Sequence, residues 1–427
     1  MVVARLRRVS LGVSQAIANP GRFNETGASL KSIFALLVLL TMQCLPVAAQ
    51  TSGCSAGPCV SQPSAHPPWR PASLPEPHPN AGTLRAAAAK IGLYIGTMVD
   101  PTGDGFDSDA GWFQNILSTE FNLMEPGNQL KWWIAEPAQG AYNFAPGDHL
   151  LDYAAANALK VRGHTLLWGV GNPAWVFNGA VNPASNFTGP QLEAILVDYI
   201  QKVVGHFRDK YPGVITAWDV TNEVMGWNNR FNSDGIVWTK IGTNPDKADY
   251  LRIAFRTARA VDPGAILCMN DWDNDGSEPF GNKNGVDRTA NMIATVKAFK
   301  AEGVPIDCVG MQGHNVTATY AQIMAAMQAY AEMGVQVHVT EWDQTMATSN
   351  PNAVSDTAAI VAKYLQACVD SPNCTMFNIW GFTQKYPALH YGESNGNTAL
   401  PTMFPWDATG AKTAIYTAML NVLNGAR

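Results

Sequence analysis

Short apolar runs alternate with amphipathic segments eight times along most of the chain. The apolar runs predict strands at 91–97, 121–125, 161–168, 215–222, 266–271, 307–314, 335–341 and 376–382. Helical periodicity predicts helices at 111–119, 148–158, 190–211, 245–261, 286–302, 318–333, 355–369 and 410–423. Nearly uninterrupted apolar strands need cover on both faces, as in a parallel sheet flanked by helices. Eight such units predict an α/β fold, a single (β/α)8 TIM barrel.

An open, doubly wound sheet is the alternative architecture for strands that alternate with helices. Such a sheet usually has a glycine-rich phosphate loop after its first strand. The run Gly92-Leu93-Tyr94-Ile95-Gly96 does not match that fingerprint. The closed barrel is therefore favoured.

The residues before the barrel have the features of an export signal and a linker. A basic residue, Lys31, precedes an apolar run from Ile33 to Val47, and Val47-Ala48-Ala49 offers a small-residue cleavage site. The run is too short for a comfortable transmembrane span. We therefore expect a signal peptide at 1–49, a flexible Pro-rich segment at 50–82 and the barrel at 83–427. The mature protein should be secreted (extracellular or periplasmic) and free of the membrane.

Cysteine spacing predicts one short disulfide. Cys368 and Cys374 lie six residues apart at a helix-to-strand turn, a plausible disulfide loop in an exported protein. Cys54 and Cys59 could pair within the flexible segment. Cys268 and Cys308 lie in apolar strands and are interpreted as apolar fillers. Because the cysteines and histidines lack zinc-site spacing, we expect no metal and no other cofactor.

Composition narrows the classes of partner. The 427 residues are 47% hydrophobic and 15% charged, which allows a large buried core. A net charge of -6 disfavours nucleic acid as a partner. Thirteen Trp and twelve Tyr serve core packing, but flat indole faces also stack on sugar rings. We expect a monomer whose partner is a polysaccharide or oligosaccharide substrate.

Two glutamates stand where apolar strands end. Glu223 closes the run from Ile215, and Glu341 closes the run from Val335. The carboxyl ends of barrel strands form the face where barrel enzymes carry their chemistry. A pair of carboxylates on rigid elements at this face indicates acid and base work on a glycosidic bond.

Other polar and aromatic side chains lie at the strand ends or just beyond them. They are Asn128, Lys131, Trp168, Asn222, Asn270, Gln312, His314 and Trp380. Each alone has a more ordinary interpretation, since a lone His or Trp is most often structural. Amides and carboxylates bind hydroxyl groups, and indoles stack on sugars. Their joint placement at successive strand ends therefore predicts a sugar-binding mouth.

These motifs resemble the family 10 glycoside hydrolases, whose main activity is endo-1,4-β-xylanase. The resemblance rests on Trp218-Asp219-Val220-Thr221-Asn222-Glu223, Val339-Thr340-Glu341, Trp380-Gly381, Asn128 with Lys131-Trp132, Arg162 to Trp168, Asn270-Asp271, and Gln312 with His314. They occur in the family's order and span the whole barrel.

The resemblance implies a role for each residue. Glu223 is the general acid/base and Glu341 the nucleophile of a retaining mechanism, with carboxyl groups about 5 to 5.5 Å apart. Asn222 and His314 orient Glu341 and the sugar, and Gln312 contacts the catalytic carboxyls. The remaining implied roles are support by Asp219, substrate binding by Trp168 and Asn270, hydroxyl binding on the glycone side by Asn128 and Lys131, and walls around the cleaved sugar from Trp380 and Trp175.

The chain departs from the family pattern on the glycone side. The departures are Gly127, Gly169, Val170, Gly171, Gln384 and Ala388, where the family usually has larger or acidic sugar-contacting residues. Trp342 or Trp406 is a candidate to compensate. We expect intact bond-breaking machinery with altered glycone recognition. The substrate would be a substituted xylan, an aryl or saponin glycoside, or a bulkier sugar that uses space left by Gly169 and Gly171.

Two other functional classes fit a barrel of this size. A non-catalytic carbohydrate-binding barrel has no need of Glu223 and Glu341 together with Asn222 and His314. A cytoplasmic isomerase or aldolase does not fit the export signal, and the chain lacks a catalytic lysine at a strand end. The sequence therefore favours a secreted retaining glycosidase that cleaves β-1,4-xylosidic bonds in xylan or xylo-oligosaccharides by double displacement. Cleavage of a different β-glycoside by the same chemistry is the alternative.

Overall fold

The structure is a computed structural model that describes residues 69–77, 82–177, 186–226, 237–277, 286–386 and 401–425. The signal region and the Cys54–Cys59 pair lie outside these residues. The strands are β1 Tyr94–Val99, β2 Leu123–Pro126, β3 Lys160–Gly163, β4 Leu167–Trp168, β5 Ile215–Asn222, β6 Ile266–Asp271, β7 Cys308–Met311, β8 Gln336–Trp342 and β9 Cys374–Ile379. All pair in parallel, and β3 pairs with β5 to close the circle.

Helices cover the outside of the barrel. They are α1 Leu84–Ala89, α2 Ala110–Glu120, α3 Trp132–Ala135, α4 Ala145–Ala156, α5 Gly189–Lys210, α6 Asp249–Val261, α7 Arg288–Ala301, α8 Tyr320–Glu332, α9 Ala353–Asp370 and α10 Ala414–Gly425. Short 3-10 turns occupy Ala174–Phe177 and Val237–Lys240. The predicted (β/α)8 TIM barrel is confirmed, and the short helices α1 and α3 were not predicted.

The third barrel strand is broken, where the sequence predicted one strand over 161–168. Its two pieces, β3 and β4, both pair with β5. Between them the Thr165 hydroxyl and the Leu166 N–H both donate to the Asp219 carbonyl, each at 2.9 Å. This local bonding replaces the regular ladder. The break matters because it places His164 and Trp168 on the site side of the barrel.

A disulfide joins two strands inside the barrel. Cys268 of β6 and Cys308 of β7 are register partners, with Cα atoms 4.3 Å apart, and their sulfurs are bonded. The interpretation of these cysteines as apolar fillers is therefore wrong. Equal apolar character hid their pairing, because the sequence does not give the register between strands. The predicted disulfide Cys368–Cys374 is present.

The ordered structure extends upstream of Thr83. Residues 69–77, within the predicted linker, contact the barrel. The Leu74 N–H donates to the Ala89 carbonyl at 2.8 Å, and Arg70 donates to the Val369 carbonyl at 2.7 Å. Glu76 forms an ion pair at 3.0 Å with the buried Arg85. Among the helices described, none is long and apolar enough to cross a membrane.

Candidate active site

Glu341 lies at the end of β8 and is only 5% exposed. His314 Nε2 donates to its Oε2 at 3.1 Å, and Asn270 Nδ2 donates to its Oε1 at 2.7 Å. Its backbone N–H donates to the Gln312 carbonyl at 2.9 Å. Each carboxylate oxygen therefore has a donor, and the side chain is held in one orientation.

The charge of His314 depends on a second carboxylate. Nδ1 of His314 donates to Asp343 Oδ1 at 2.8 Å. Burial lowers the pKa of His314, but Asp343 and Glu341 outweigh burial and raise that pKa well above its usual range. The ring is therefore an imidazolium, and both its nitrogens donate. Asp343 was not predicted, although its position two residues after Glu341 was visible in the sequence.

Glu341 is held as an anion. Burial raises its pKa, but the hydrogen bond from His314, the charges of His164 and His314, and the bond from Asn270 outweigh burial. The pKa of Glu341 is lowered to about 2. An ionised carboxylate is the form that can attack an electrophilic carbon.

Glu223 follows β5 and is half-buried. Its backbone has φ of 55°, a left-handed conformation that is uncommon away from glycine and is often found at functional sites. The Glu223 N–H is bonded to the Asn270 carbonyl at 2.9 Å, which holds this turn. The turn aims the side chain out of the strand line. Oε1 then accepts from Gln312 at 3.1 Å and Oε2 from the indole of Trp168 at 2.9 Å.

A chain of amides connects the two glutamates. Gln312 Nε2 also approaches Asn222 Oδ1 at 3.3 Å, and Asn270 Nδ2 donates to the same oxygen at 2.8 Å. Glu223 is thus linked to Gln312, then to Asn222, Asn270 and Glu341. The contact between Asn222 and Glu341, which the resemblance implies, is indirect: Asn270 bonds to Glu341 and to Asn222.

The predicted glycone-side residues lie together beside Trp168. Lys131 Nζ donates to Asn128 Oδ1 at 3.0 Å and lies 4.8 Å from the centre of the Trp168 ring. Asn128 Nδ2 donates to Asp100 Oδ2 at 2.5 Å. Burial lowers the pKa of Lys131, and the nearby Glu341 opposes that shift. Asp100, which fixes Asn128, was missed because it follows a strand end with no motif around it.

The two predicted wall tryptophans differ in their surroundings. The Trp380 ring meets His314 edge-on, with ring centres 6.3 Å apart, and is 5.7 Å from His164. It therefore lies beside the nucleophile. The Trp175 indole instead donates to the Glu136 carbonyl at 3.0 Å and packs near Phe187. Within the described residues, no hydrogen bond or ring contact joins Trp175 to either glutamate.

Asp219 lies below the mouth and is fully buried. Arg162 donates to both of its oxygens, with Nε at 3.0 Å from Oδ2. His164 Nδ1 lies 3.0 Å from the same Oδ2. Asp219 thus supports the site by holding Arg162 and His164. Glu125, at the end of β2, lies beside this group and is also fully buried.

Two groups of side chains among the described residues have the spacing of metal ligands. One is Cys268, Cys308 and His338, but these two sulfurs are bonded to each other. The other is Glu125, His164 and Glu341, whose ligand atoms lie within 4.8 Å of one another. Arg162 lies 3.9 Å from Glu125. A cation close by makes this second group a poor site for a metal ion.

Two of the family departures, Gly127 and Gly171, leave no open space on the glycone side. A Cβ at Gly127 would lie 2.9 Å from the sulfur of Met98, and one at Gly171 would lie 2.9 Å from the Trp168 ring. The expectation of free space at Gly171 is therefore wrong, because Trp168 fills it. Gln384 donates to the Thr402 carbonyl at 3.2 Å. Ala388 lies outside the described residues.

Neither tryptophan proposed to compensate is available to a sugar. Trp342 is fully buried, and Trp406 is 2% exposed. Trp342 packs near Phe377, and Trp406 packs against Phe382 and Tyr416. That expectation is wrong because both indoles belong to the core. Sequence position alone did not distinguish a ring at the mouth from one beneath it.

The arrangement combines an anionic carboxylate with a second carboxyl group held by neutral donors. The first suits a nucleophile, and the second suits proton transfer to and from a reacting oxygen. Retaining glycosidases use these two functions on one glycosidic bond. The surrounding amides, the ammonium group and the indole rings suit a hydroxyl-rich substrate.

Known proteins match both the sequence and the fold. The model of the family "Glycosyl hydrolase family 10" matches residues 83–422. Endo-1,4-beta-xylanase A of Phanerodontia chrysosporium is 31% identical over 88% of this chain and 85% of its own length. Endo-1,4-beta-xylanase B of Thermotoga neapolitana is 30% identical over 71% of this chain and 82% of its own length.

Solved structures agree with these relatives. Native xylanase 10B from Thermotoga maritima has a TM-score of 0.70 and 28% identity, over 80% of this chain and 98% of its own. Xylanase 10B from Thermotoga petrophila, solved with xylobiose, has a TM-score of 0.71 and 28% identity, over 82% and 99%. The chain therefore belongs to glycosyl hydrolase family 10 and is a retaining glycosidase of the endo-1,4-β-xylanase type.

Proposed function

We propose that the protein cleaves β-1,4-xylosidic bonds in xylan or xylo-oligosaccharides by double displacement. Glu341 attacks the anomeric carbon while Glu223 gives its proton to the leaving oxygen. Water then attacks the glycosyl-enzyme, and Glu223 takes the proton from that water. The observation that carries this proposal is the contrast between the two carboxyls. Glu341 faces an imidazolium, while Glu223 faces the neutral donors Gln312 and Trp168.

The donors around Glu223 suit a residue that works in both protonation states. Gln312 and Trp168 each donate to one of its oxygens, so they stabilise the carboxylate left after Glu223 has given up its proton. Neither donor is charged, whereas Glu341 accepts from the imidazolium of His314. The carboxylate can then accept the proton of the attacking water in the second step.

The sugar would be bound by polar groups that lie outside the hydrogen-bond chain between Glu223 and Glu341, or that still have a free N–H within it. Asn222 accepts two hydrogen bonds at Oδ1, and its Nδ2 has no acceptor among the described residues. This N–H is suited to a hydroxyl next to the reacting carbon. Lys131 and Asn128 would bind hydroxyls of the glycone, and Trp380 would cover one sugar face. Contacts with such groups are worth most when they strengthen in the transition state.

Two experiments on the same enzyme test the reaction. NMR of xylo-oligosaccharide hydrolysis should show the β-anomer of the product first, before mutarotation. A 2-fluoro-xylobioside with a good leaving group should trap the glycosyl-enzyme, and peptide mapping should place the label on Glu341. An α-anomer formed first, or a label on another residue, would overturn the proposal.

A different β-glycoside is the second candidate substrate. It is supported by Val170, which is 73% exposed between Gly169 and Gly171. This exposed side chain gives the mouth an apolar rim suited to an aryl or other apolar substituent. A panel of xylan, arabinoxylan, aryl xylosides and saponin glycosides, read by product analysis, separates the candidates. Preference for plain xylan would exclude the second.

We further propose that the protein is exported. The apolar run after Lys31 supports this proposal, as do the two disulfides, because disulfides persist mainly outside the cytosol. Expression with a C-terminal tag, followed by fractionation and N-terminal sequencing, tests it. A mature N-terminus near Gln50 in the exported fraction is expected. A cytosolic protein with an intact N-terminus would overturn the proposal.

A further inference from the structure

Glu125 is a third carboxyl beside the catalytic pair, and no step of the reaction above uses it. It lies at the end of β2 and is fully buried. One of its oxygens, one nitrogen of His164 and one oxygen of Glu341 lie within 4.8 Å of one another. A carboxyl so close to the nucleophile must affect the charge of the site, whatever its protonation state.

The two oxygens of Glu125 have different surroundings. Oε2 accepts from Asn378 Nδ2 at 3.0 Å. Oε1 is buried and has no hydrogen-bond partner among the residues that the structure describes. The nearest ring nitrogen, His164 Nδ1, is 3.4 Å away and is bonded to Asp219 at 3.0 Å. A buried carboxylate oxygen without a donor is costly, but an oxygen that carries a proton is not an anionic acceptor.

The cations nearby are already engaged. Arg162 directs Nε and one terminal nitrogen to Asp219 and the other terminal nitrogen to His338, so it approaches Glu125 only at 3.9 Å. Lys131 is bonded to Asn128. His164 directs Nδ1 to Asp219 at 3.0 Å and approaches Oε1 of Glu125 only at 3.4 Å. The remaining charged neighbours, Asp219 and Glu341, are acidic. None of these groups gives a negative charge on Glu125 a close partner.

Glu125 is also mechanically linked to the nucleophile. Asn378 Nδ2 makes its second bond, at 2.6 Å, to the carbonyl of Thr340, the residue before Glu341. The Thr340 hydroxyl donates to Asn270 Oδ1 at 2.7 Å, and Asn270 in turn donates to Glu341. Through Asn378 and Thr340, Glu125 is thus connected by hydrogen bonds to the backbone next to Glu341 and to Asn270, the side chain that donates to Glu341.

We propose that Glu125 is a positioning residue of the active site that works as a neutral carboxylic acid: it carries its proton on Oε1 and holds Asn378 and, through Asn378, the strand end that bears Glu341. The neutral form supplies the acceptor that Asn378 needs without placing a third negative charge beside the nucleophile. Burial raises the pKa of Glu125 well above its usual range; Arg162 opposes that rise, while Asp219 and Glu341 add to it. The inference rests on the proposed roles of Glu341 and Glu223.

The protonation state is tested first, with a readout that does not depend on activity. Glu125→Gln is neutral and similar in shape. An infrared difference spectrum of wild type minus E125Q at pH 7 should contain the C=O band of a protonated carboxylic acid. Glu120→Gln is the matched control, because Glu120 is also buried but has donors on both oxygens from Leu84, Lys412 and Tyr416. The E120Q difference should lack that band. A spectrum without the band for E125Q would overturn the proposal.

Thermal stability gives a second test of the same state. A carboxyl whose folded pKa is raised binds a proton more tightly in the folded state, so its stability contribution falls as pH rises from about 4.3 toward that folded pKa. Wild type should therefore lose Tm relative to E125Q between pH 5 and pH 8. An equal Tm difference across that range would overturn the proposal.

Kinetics test the positioning role. Glu125→Leu replaces the carboxyl with an uncharged side chain and removes the acceptor for Asn378, so kcat should fall about fivefold to tenfold. KM should change much less, because Glu125 is too deeply buried to touch sugar. E125Q should restore most of kcat. If E125Q and E125L lose kcat equally, the neutral-acid role is wrong. If E341Q keeps wild-type turnover, the proposed catalytic roles fail instead, while the infrared result still stands.

Discussion

The surroundings of Glu341 and Glu223 differ although both close a barrel strand. Glu341 is 5% exposed and held by a charged pair, His314 with Asp343. Glu223 is half-buried, follows a left-handed turn and is held by an indole and an amide. A charged partner fixes one protonation state, whereas neutral donors allow exchange. The proposed roles of nucleophile and acid/base are therefore set by the hydrogen-bond partners of the two carboxyl groups, since the side chains themselves are identical.

The strongest test of this comparison removes each carboxylate in turn. On xylan, Glu341→Gln should lower kcat by at least about 10⁴-fold, and Glu223→Gln by about 10² to 10⁴-fold. A dinitrophenyl xylobioside has a leaving group that needs no proton. Its first step should therefore be nearly normal in E223Q and absent in E341Q. Burst kinetics measure this step.

The same pair of variants can reverse the assignment. If E341Q releases dinitrophenol in a burst and E223Q does not, then the two roles are exchanged. Circular dichroism and thermal melts of both variants serve as folding controls, because an unfolded variant would lose activity on every substrate. Equal losses on both substrates by well-folded variants would contradict the division of labour.

The second test weakens the charged partner of Glu341 without touching it. Asp343→Asn removes the negative charge that raises the pKa of His314, so the ring becomes less cationic. The pKa of Glu341 should then rise from about 2, and the acidic limb of kcat/KM should move to higher pH. We expect kcat at neutral pH to fall roughly tenfold, as for loss of a charge-assisted hydrogen bond.

A surface substitution of the same kind is the control for this shift. Asp209→Asn on α5 also removes one negative charge, but the Asp209 side chain is 69% exposed and pairs with the neighbouring Arg208. The pH profile of D209N should match that of wild type. If D343N leaves the acidic limb in place, Asp343 does not act through His314.

Much of the site could be predicted because its residues stand at strand ends. The order of strands in a barrel follows the chain, so the sequence alone predicts that Glu223, Glu341, Gln312 and His314 converge. The ranges of β5 and β6 agree with the apolar runs at 215–222 and 266–271. The spacing of apolar residues along the chain is a local property of the sequence, and predicting the bounds of these strands needs nothing more.

Predictions failed where they depended on register or on the direction of a side chain. Cys268 and Cys308 pair because β6 and β7 align them. Which amide contacts Glu341 depends on side-chain direction, and it is Asn270 that donates to Glu341. Trp342 and Trp406 point into the core. The sequence does not predict a role for Glu125, because that role depends on an unpaired oxygen that is visible only in the folded structure.

The smallest expected effect concerns the neutral donor to Glu223. Trp168→Phe keeps an aromatic ring beside Lys131 but removes the indole N–H that donates to Glu223 Oε2. The loss of one such bond, about 1 kcal/mol, should lower kcat about fivefold. The acidic limb of the pH profile should stay in place, because Glu341 and its charged partner are untouched.

Trp133→Phe makes the same chemical change without the same contact. Its ring lies 5.4 Å from Lys131 and 6.4 Å from the Trp168 ring, and no glutamate accepts a hydrogen bond from it within the described residues. W133F should therefore change kcat less than W168F. If the two variants are equally slow, the indole bond to Glu223 contributes nothing specific, and the ring packing around Lys131 explains the loss. W168F should not shift the acidic limb, whereas D343N should. If W168F does shift it, a neutral donor to Glu223 affects the charge of Glu341, and the two carboxyls are not controlled independently.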